Sequence, residues 1–208
     1  MSAAFRCLDA HERDLQARGF AHIAGIDEVG RGSLFGSVVA AAVVLSPKRP
    51  IRGLNDSKQL TPERREVLSA RILERAVAWH IAEVDASTID RINIYHAGRL
   101  AMKLAIEGLR VSPDFLLIDA FPVELRIAQW PLVKADERCH AVAAASIIAK
   151  VWRDAQMREF DAVYPQYGLS RHKGYNCPEH QRALRAHGPT PLHRRSFQPV
   201  RLSEAARA

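Results

Sequence analysis

Two apolar runs lie close together near the start of the chain. Ile23 to Ile26 and Val38 to Leu45 are nearly unbroken, and glycines bound them. Such runs read as buried strands, here over about 21–28 and 37–46. Thr61 as N-cap and Pro62 at the first helical position open a helix. It runs to about Ala78 and carries Val67, Leu68, Ile72, Leu73 and Ala76 on its buried face. Trp79 to Val84 reads as a third strand. Ser87 or Thr88 caps a second helix to about Leu109, with Ile94, Leu100, Leu104 and Ile106 among its apolar positions. Pro113 breaks the chain, and Phe115 to Asp119 is a short buried strand ending in a carboxylate. Another short strand, around Pro131 to Val133, leads into Lys134-Ala135-Asp136. An alanine-rich helix then runs from Arg138 to near Phe160. Residues 1–20 read as a short amphipathic helix or loose arm. The tail from Tyr164 is loop-rich, with one helix beginning near Pro178-Glu179. Strands come first, and helices and strands then alternate. That order predicts a mixed α/β sheet with helical cover, and not an all-parallel doubly wound sheet.

Composition narrows the class. A chain of 208 residues, 48% hydrophobic and 25% charged, suits one well-buried domain with a small appendage. No apolar run reaches the length of a membrane span, and the polar start (His11, Glu12, Arg13, Asp14) shows no signal peptide. Cys7, Cys139 and Cys177 are scattered and form no CxxC pair, which suits a reducing cytoplasm. The net charge is +7, and +6 of it falls from Ala141 onward. A basic last third points to a polyanionic partner, foremost nucleic acid.

The candidate chemistry centres on Asp27-Glu28 and the turn Gly30-Arg31-Gly32 that follows. A glycine-rich turn exposes backbone N–H groups and admits a ligand closely. Gly30, Gly32 and Gly36 are spaced one residue too long for a dinucleotide fingerprint, and a strand follows where that motif needs a helix. No Gly-Lys-Ser/Thr occurs, which removes a P-loop. Asp119 ends a later strand and Asp136 opens a helix from a loop. In open α/β sheets, groups at the carboxyl ends of strands gather at one rim. Carboxylates converging there repel one another unless a cation neutralises them, and Mg²⁺ or Mn²⁺ suits an all-oxygen site. Two such ions about 4 Å apart activate a water and stabilise a leaving oxygen in phosphodiester cleavage. Taken singly, each acid also reads as a solvated loop or helix-end charge. His172, Cys177 and His180 offer a zinc reading, but no matching second pair of ligands is evident. Ser146 and Lys150 lie four apart on one helix face, as a nucleophile pair, a packing edge or a phosphate-holding pair would.

In its segments the chain resembles the ribonuclease HII family, over nearly its full length. The resemblance rests on Gly25-Ile26-Asp27-Glu28-Val29-Gly30-Arg31-Gly32, Leu54-Asn55-Asp56-Ser57-Lys58-Gln59-Leu60 and Leu117-Ile118-Asp119. It continues through Ala143 to Val151, Tyr164-Pro165-Gln166-Tyr167-Gly168, His172-Lys173-Gly174-Tyr175 and His193-Arg194-Arg195-Ser196-Phe197. It implies a ribonuclease H-like mixed sheet flanked by helices, as a catalytic core over about 21–160 and a small basic helical region over about 161–208 that binds substrate. It implies cleavage of RNA in RNA–DNA hybrids and on the 5′ side of single ribonucleotides in duplex DNA, giving 3′-hydroxyl and 5′-phosphate ends. By resemblance Asp27, Glu28, Asp119 and Asp136 are the catalytic acids and hold two Mg²⁺ or Mn²⁺ ions. Gly30, Arg31 and Gly32 contact the ribose 2′-OH and nearby phosphates, and Tyr175 stacks beside that sugar. Lys58, Ser146 and Lys150 contact phosphates. Monomer is the default state, in the cytoplasm that the cysteine usage suits, and a binding module or another nuclease of the same fold are the alternatives. Some positions depart from the family pattern: Ser33 for proline, Ala120-Phe121 for Gly-Asn, Ala135 for glycine, and Asn176-Cys177 after the tyrosine. A rigidifying residue is lost at 33, and an alanine at 135 is expected to resist a glycine's backbone angles and shift Asp136.

Overall fold

A computed structural model of the chain describes residues 9–205. Five strands form one sheet in the order β3-β2-β1-β4-β5: β1 (Ile23–Val29), β2 (Val38–Val44), β3 (Ala78–Val84), β4 (Phe115–Asp119) and β5 (Ala128–Leu132). The first three are antiparallel neighbours, while β4 lies parallel to β1 and β5 parallel to β4. The sheet is therefore mixed, as the order of elements predicts. Its helices are α1 (Ala10–Ala17), α2 (Pro62–Arg75), α3 (Ala86–Glu107), α4 (His140–Val163), α5 (Leu169–His172), α6 (Pro178–His187) and α7 (Gln198–Ala205).

β2 is apolar throughout because both of its faces are covered. Val38, Ala40, Ala42 and Val44 pack with α3, while Val39, Ala41 and Val43 pack with α2 and α4. Alternation along β1 works the same way. Ala24 and Ile26 join the α3 side, and Gly25 faces α4. A Cβ on Gly25 would lie 2.0 Å from the Ala141 carbonyl carbon, so a glycine lets the start of α4 rest on the strand.

Several boundaries and faces differ from expectation. On α2, Leu68, Ile72 and the C-cap Ala76 are buried, but Val67 and Leu73 are exposed. The helix stops at Arg75 because Ala76 is already extended and leads into β3. Asp85, not Ser87 or Thr88, caps α3, and its carboxylate accepts from Thr88 N. α3 breaks at Asn93 (φ 63°), whose Oδ1 accepts from the N–H groups of Tyr95 and His96 and so restarts the helix. β5 begins at Ala128 and excludes Val133, which is exposed. Of the expected N-terminal segment, the stretch 10–17 is helical and residues 1–8 lie outside the described chain. The tail holds α5 and α7 besides the helix expected at Pro178. Both are short pieces whose buried residues, Leu169 and Val200, join a cluster with Leu34, Phe35, Met157, Tyr167 and Leu184.

Candidate active site

β1 and β4 set the centre of the site. Their parallel register pairs Ile26 with Ile118. One residue further on, Asp27 and Asp119 lie side by side at the carboxyl ends of adjacent strands, about 5 Å apart in backbone spacing. Side chains alternate along a strand, so Asp27 points to the α4 side and Glu28 to the opposite face. Ser146 on α4 hydrogen-bonds to Asp27 and also to Ser57 (Oγ–Oγ 2.9 Å). Asp27 Oδ1 accepts from Glu28 N at 2.8 Å. On the far face, Arg31 Nη1 lies 3.1 Å from Glu28 Oε1. Asp119 Oδ1 accepts from Ala135 N at 2.9 Å, which ties the end of β4 to the short turn Ala135–Glu137 carrying Asp136.

Electrostatics shows that the four acids share one neighbourhood. Burial raises Asp27 well above the ordinary carboxylate range, and the charges of Glu28, Asp119 and Asp136 raise it further. Burial raises Glu28 as well, although Arg31 opposes the shift. Burial pushes Asp136 up to about 6, helped by Asp56 and Asp119. Burial disfavours the Lys58 ammonium, yet Asp136, Asp56, Asp27 and Asp119 outweigh it and raise its pKa. Among the described residues, no three acid, histidine or cysteine side chains are already drawn around one cation position. The donor set nonetheless fits a hard divalent cation. It is made of oxygen, it is mutually repulsive, and Glu28 Oε2 is buried without a hydrogen-bond partner.

The remaining expected residues divide between this cluster and its margins. The turn Gly30-Arg31-Gly32 borders Glu28, and Gly32 is exposed. Tyr175 reaches the turn from the tail. Ser33 and Tyr175 form an antiparallel bridge, and the Tyr175 ring would contact a Cβ on Gly32 at 3.9 Å. Lys58 stands near the acids. Lys150 is turned elsewhere, donating to Asp154 at 2.7 Å, with Arg65 also beside that carboxylate. Ser146 and Lys150 are therefore engaged separately and form no nucleophile pair.

The zinc reading fails because its groups are already occupied. His180 uses Nδ1 on the Tyr175 carbonyl and Nε2 on His193, and Cys177 caps α6 by accepting from His180 N.

The departures at 33, 120 and 135 also find a place. Ser33 Oγ donates to Phe35 O and accepts from Phe35 N, which stiffens the turn that lacks proline. The expected strain at Ala135 is absent: Lys134 takes the left-handed conformation (φ 56°), and Ala135 packs with Leu117, Cys139 and Val142. Left-handed strain falls instead on Lys134 and on Ala120, the latter at φ 63°. Beside it, the Phe121 ring lies under the Arg31 guanidinium (5.4 Å) and against Tyr95.

Sequence reasoning missed three site residues. Asp56, buried and hydrogen-bonded to Asp136, stood unremarked within the segment Leu54 to Leu60. Arg153 and Arg194, both fully buried behind the glycine turn, carry no local sign of burial, and Arg194 stood only within the segment His193 to Phe197.

The ribonuclease HII family model matches residues 24–200. The chain is 66% identical over 197 residues to ribonuclease HII of Solibacter usitatus, covering 95% of this chain and 86% of that one. To ribonuclease HII of Koribacter versatilis it is 53% identical over 200 residues, covering 96% and 79%. The crystal structure of ribonuclease H2 from Pyrococcus horikoshii is similar, with a TM-score of 0.79 at 27% identity over 89% of this chain and 98% of that one. With the strand-end acids, the glycine turn and a mixed ribonuclease H-like sheet in place, these likenesses assign the chain to the ribonuclease HII family of hydrolytic endoribonucleases.

Proposed function

We propose that this enzyme cleaves RNA in RNA–DNA hybrids and cuts on the 5′ side of single ribonucleotides embedded in duplex DNA. The observation that carries the reading is the convergence of Asp27, Glu28, Asp119 and Asp136 beside an exposed glycine turn. The four acids would hold Mg²⁺ or Mn²⁺, two ions in the active complex. When bound, such ions supply an activated water and neutralise charge on the leaving oxygen.

The chain's own residues set up the rest. Ser146 and the Glu28 N–H orient Asp27. The Ala135 N–H fixes Asp119. Arg31 restrains Glu28 from the turn side. Water adds to phosphorus, the bond from phosphorus to the preceding 3′ oxygen breaks, and the products are a 3′-hydroxyl and a 5′-phosphate. Gly30, Arg31 and Gly32 read the ribose 2′-OH, the group that separates RNA from DNA. Tyr175 packs beside that sugar from across the turn. Lys58, Ser146 and Lys150 serve nearby phosphates, Lys150 by exchanging its partner Asp154 for the backbone. The whole chain acts as one domain, a monomer in the cytoplasm, and the basic stretch 161–208 follows the nucleic-acid backbone.

An end-labelled DNA duplex with one ribonucleotide tests this, incubated with Mg²⁺, Mn²⁺ or EDTA beside an all-DNA duplex. The expected result is metal-dependent cutting only on the 5′ side of the ribonucleotide. No cutting by folded protein, or equal cutting of the all-DNA duplex, would replace the reading with a binding module or a different nuclease.

A further inference from the structure

Arg153 and Arg194 are among the most buried side chains in the molecule, and among the described residues neither forms an ion pair. An unpaired buried charge is costly, so an arrangement that keeps two of them side by side needs a reason. Their donors go to main-chain carbonyls around the glycine turn. Arg194 Nη1 donates to Arg31 O (2.9 Å) and its Nε to Gly36 O (2.9 Å). Arg153 Nη2 donates to Phe35 O (3.2 Å) and its Nη1 to Lys173 O (2.9 Å). The Arg153 guanidinium lies 5.6 Å from the Tyr175 ring centroid, and a Cβ on Gly30 would sit 2.2 Å from its Nε. The two arginines therefore join the glycine turn to the segment that carries Tyr175.

The geometry points to Arg194, backed by Arg153, as the positioning residue that aims the Gly32 N–H at the substrate. In a trans peptide the carbonyl and the N–H point in opposite directions. Arg194 draws the Arg31 carbonyl inward, so the N–H of the same peptide, on Gly32, turns outward. Gly32 is exposed, and among the described residues its N–H has no acceptor within the chain. A guanidinium on the carbonyl also polarises that peptide, which strengthens the N–H as a donor to a hydroxyl or phosphate oxygen. Two positive charges behind the turn favour an anionic backbone in front of it. Burial, then the neighbouring Arg153, pulls Arg194 down to about 9, so it stays charged at neutral pH. This inference rests on the proposal that the turn reads the ribonucleotide.

The test compares wild type with Arg194→Lys, which keeps the charge but cannot serve both carbonyls with one planar fork. Binding is read in EDTA by fluorescence anisotropy on two duplexes, one with a single ribonucleotide and one all-DNA. The variant is expected to bind the all-DNA duplex within about twofold of wild type and to lose about tenfold on the ribonucleotide duplex, the scale of one strong hydrogen bond. Equal losses on both duplexes, or full retention of the preference, would overturn the role of Arg194. If wild type itself shows no preference, the underlying reading of the turn fails instead. Wild-type amide exchange at Gly32 covers a variant that does not fold. The N–H is expected to exchange freely in the free protein and to be protected by the ribonucleotide duplex. Protection already present without nucleic acid would mean the group points inward and would end the proposal.

Discussion

Asp56 shows how one side chain changes the chemistry of its neighbour. It accepts from Lys58 N and hydrogen-bonds to Asp136, and its charge and that hydrogen bond both raise the Asp136 carboxyl. With burial, this keeps Asp136 near 6. Asp56→Asn is therefore expected to lower the Asp136 pKa in metal-free protein, and a carbon-detected NMR titration would report it; an unmoved midpoint would separate the two groups. Asp119 has a different position, at the join of β4 and the Asp136 turn. Asp119→Asn preserves the hydrogen-bond acceptor for Ala135 N while removing the charge, so cleavage should fall by about a thousandfold or more with little change in melting. Near-normal turnover would remove Asp119 from the mechanism. Ala120 carries backbone strain that a glycine would relieve. Ala120→Gly should raise stability by about 1 kcal/mol in urea unfolding, the usual cost of a left-handed non-glycine residue. A loss of stability would show that chain entropy outweighs the strain.

At the level of elements, contacts with neighbours override local preference. The seam between β1 and α4 is one case. Gly25→Ala would drive a methyl into the Ala141 backbone and should cost about 3 kcal/mol or more, since overpacking against main chain cannot relax cheaply. Unfolding in urea measures this, and a change below about 0.5 kcal/mol would mean that the helix floats on the strand. The tail elements are held by a buried histidine relay. Thr190 N donates to His193 Nδ1 (2.9 Å), so His193 Nε2–H donates to His180 Nε2 (3.1 Å), and His180 Nδ1–H donates to the Tyr175 carbonyl. Only the neutral pair fits this pattern. Burial pushes His180 down to about 4, and burial with the charge of His180 pushes His193 to about 3. Both values lie below the ordinary 6.5, so the unfolded chain takes up protons first. This contribution is complete above pH 6.5 and is lost as pH falls toward 4 and 3. The stability gap between wild type and His193→Gln should therefore shrink between pH 7 and 4.5; a constant gap would refute the relay.

For the molecule as a whole, two charge distributions oppose each other. The acidic rim carries raised carboxylates, and these act on stability in the reverse sense to the histidines. The folded metal-free protein holds a proton on Asp136 between the unfolded value near 3.8 and about 6, so this part of its stability is lost as pH rises through that window. Mn²⁺ should restore it, raising the melting temperature more at pH 8 than at pH 5. An equal or larger rise at pH 5 would mean that the ion binds away from these acids. The basic last third acts over a longer range. If about four phosphates are neutralised, duplex affinity should fall roughly a hundredfold between about 50 and 200 mM salt. A flat response would argue against backbone tracking by the tail.

Sequence alone determined the strands and the main helices and pointed to candidate acids, because each depends on local signals. Apolar runs of strand length, the Thr61-Pro62 helix start and acids at strand ends are visible without any partner. It also determined the mixed sheet, because the order of elements limits how strands can neighbour one another. It did not determine which apolar residues are covered: Val67 and Leu73 follow the helical period but face solvent, since only neighbouring elements decide which part of an apolar stripe is used. Nor could it give Asp56 a place beside Asp136, or bury Arg153 and Arg194 behind the glycine turn. Those positions come from contacts across 80 to 163 residues of chain. A charge on a polar stretch looks the same in sequence whether water or a distant carbonyl receives it, and tertiary packing alone makes that choice.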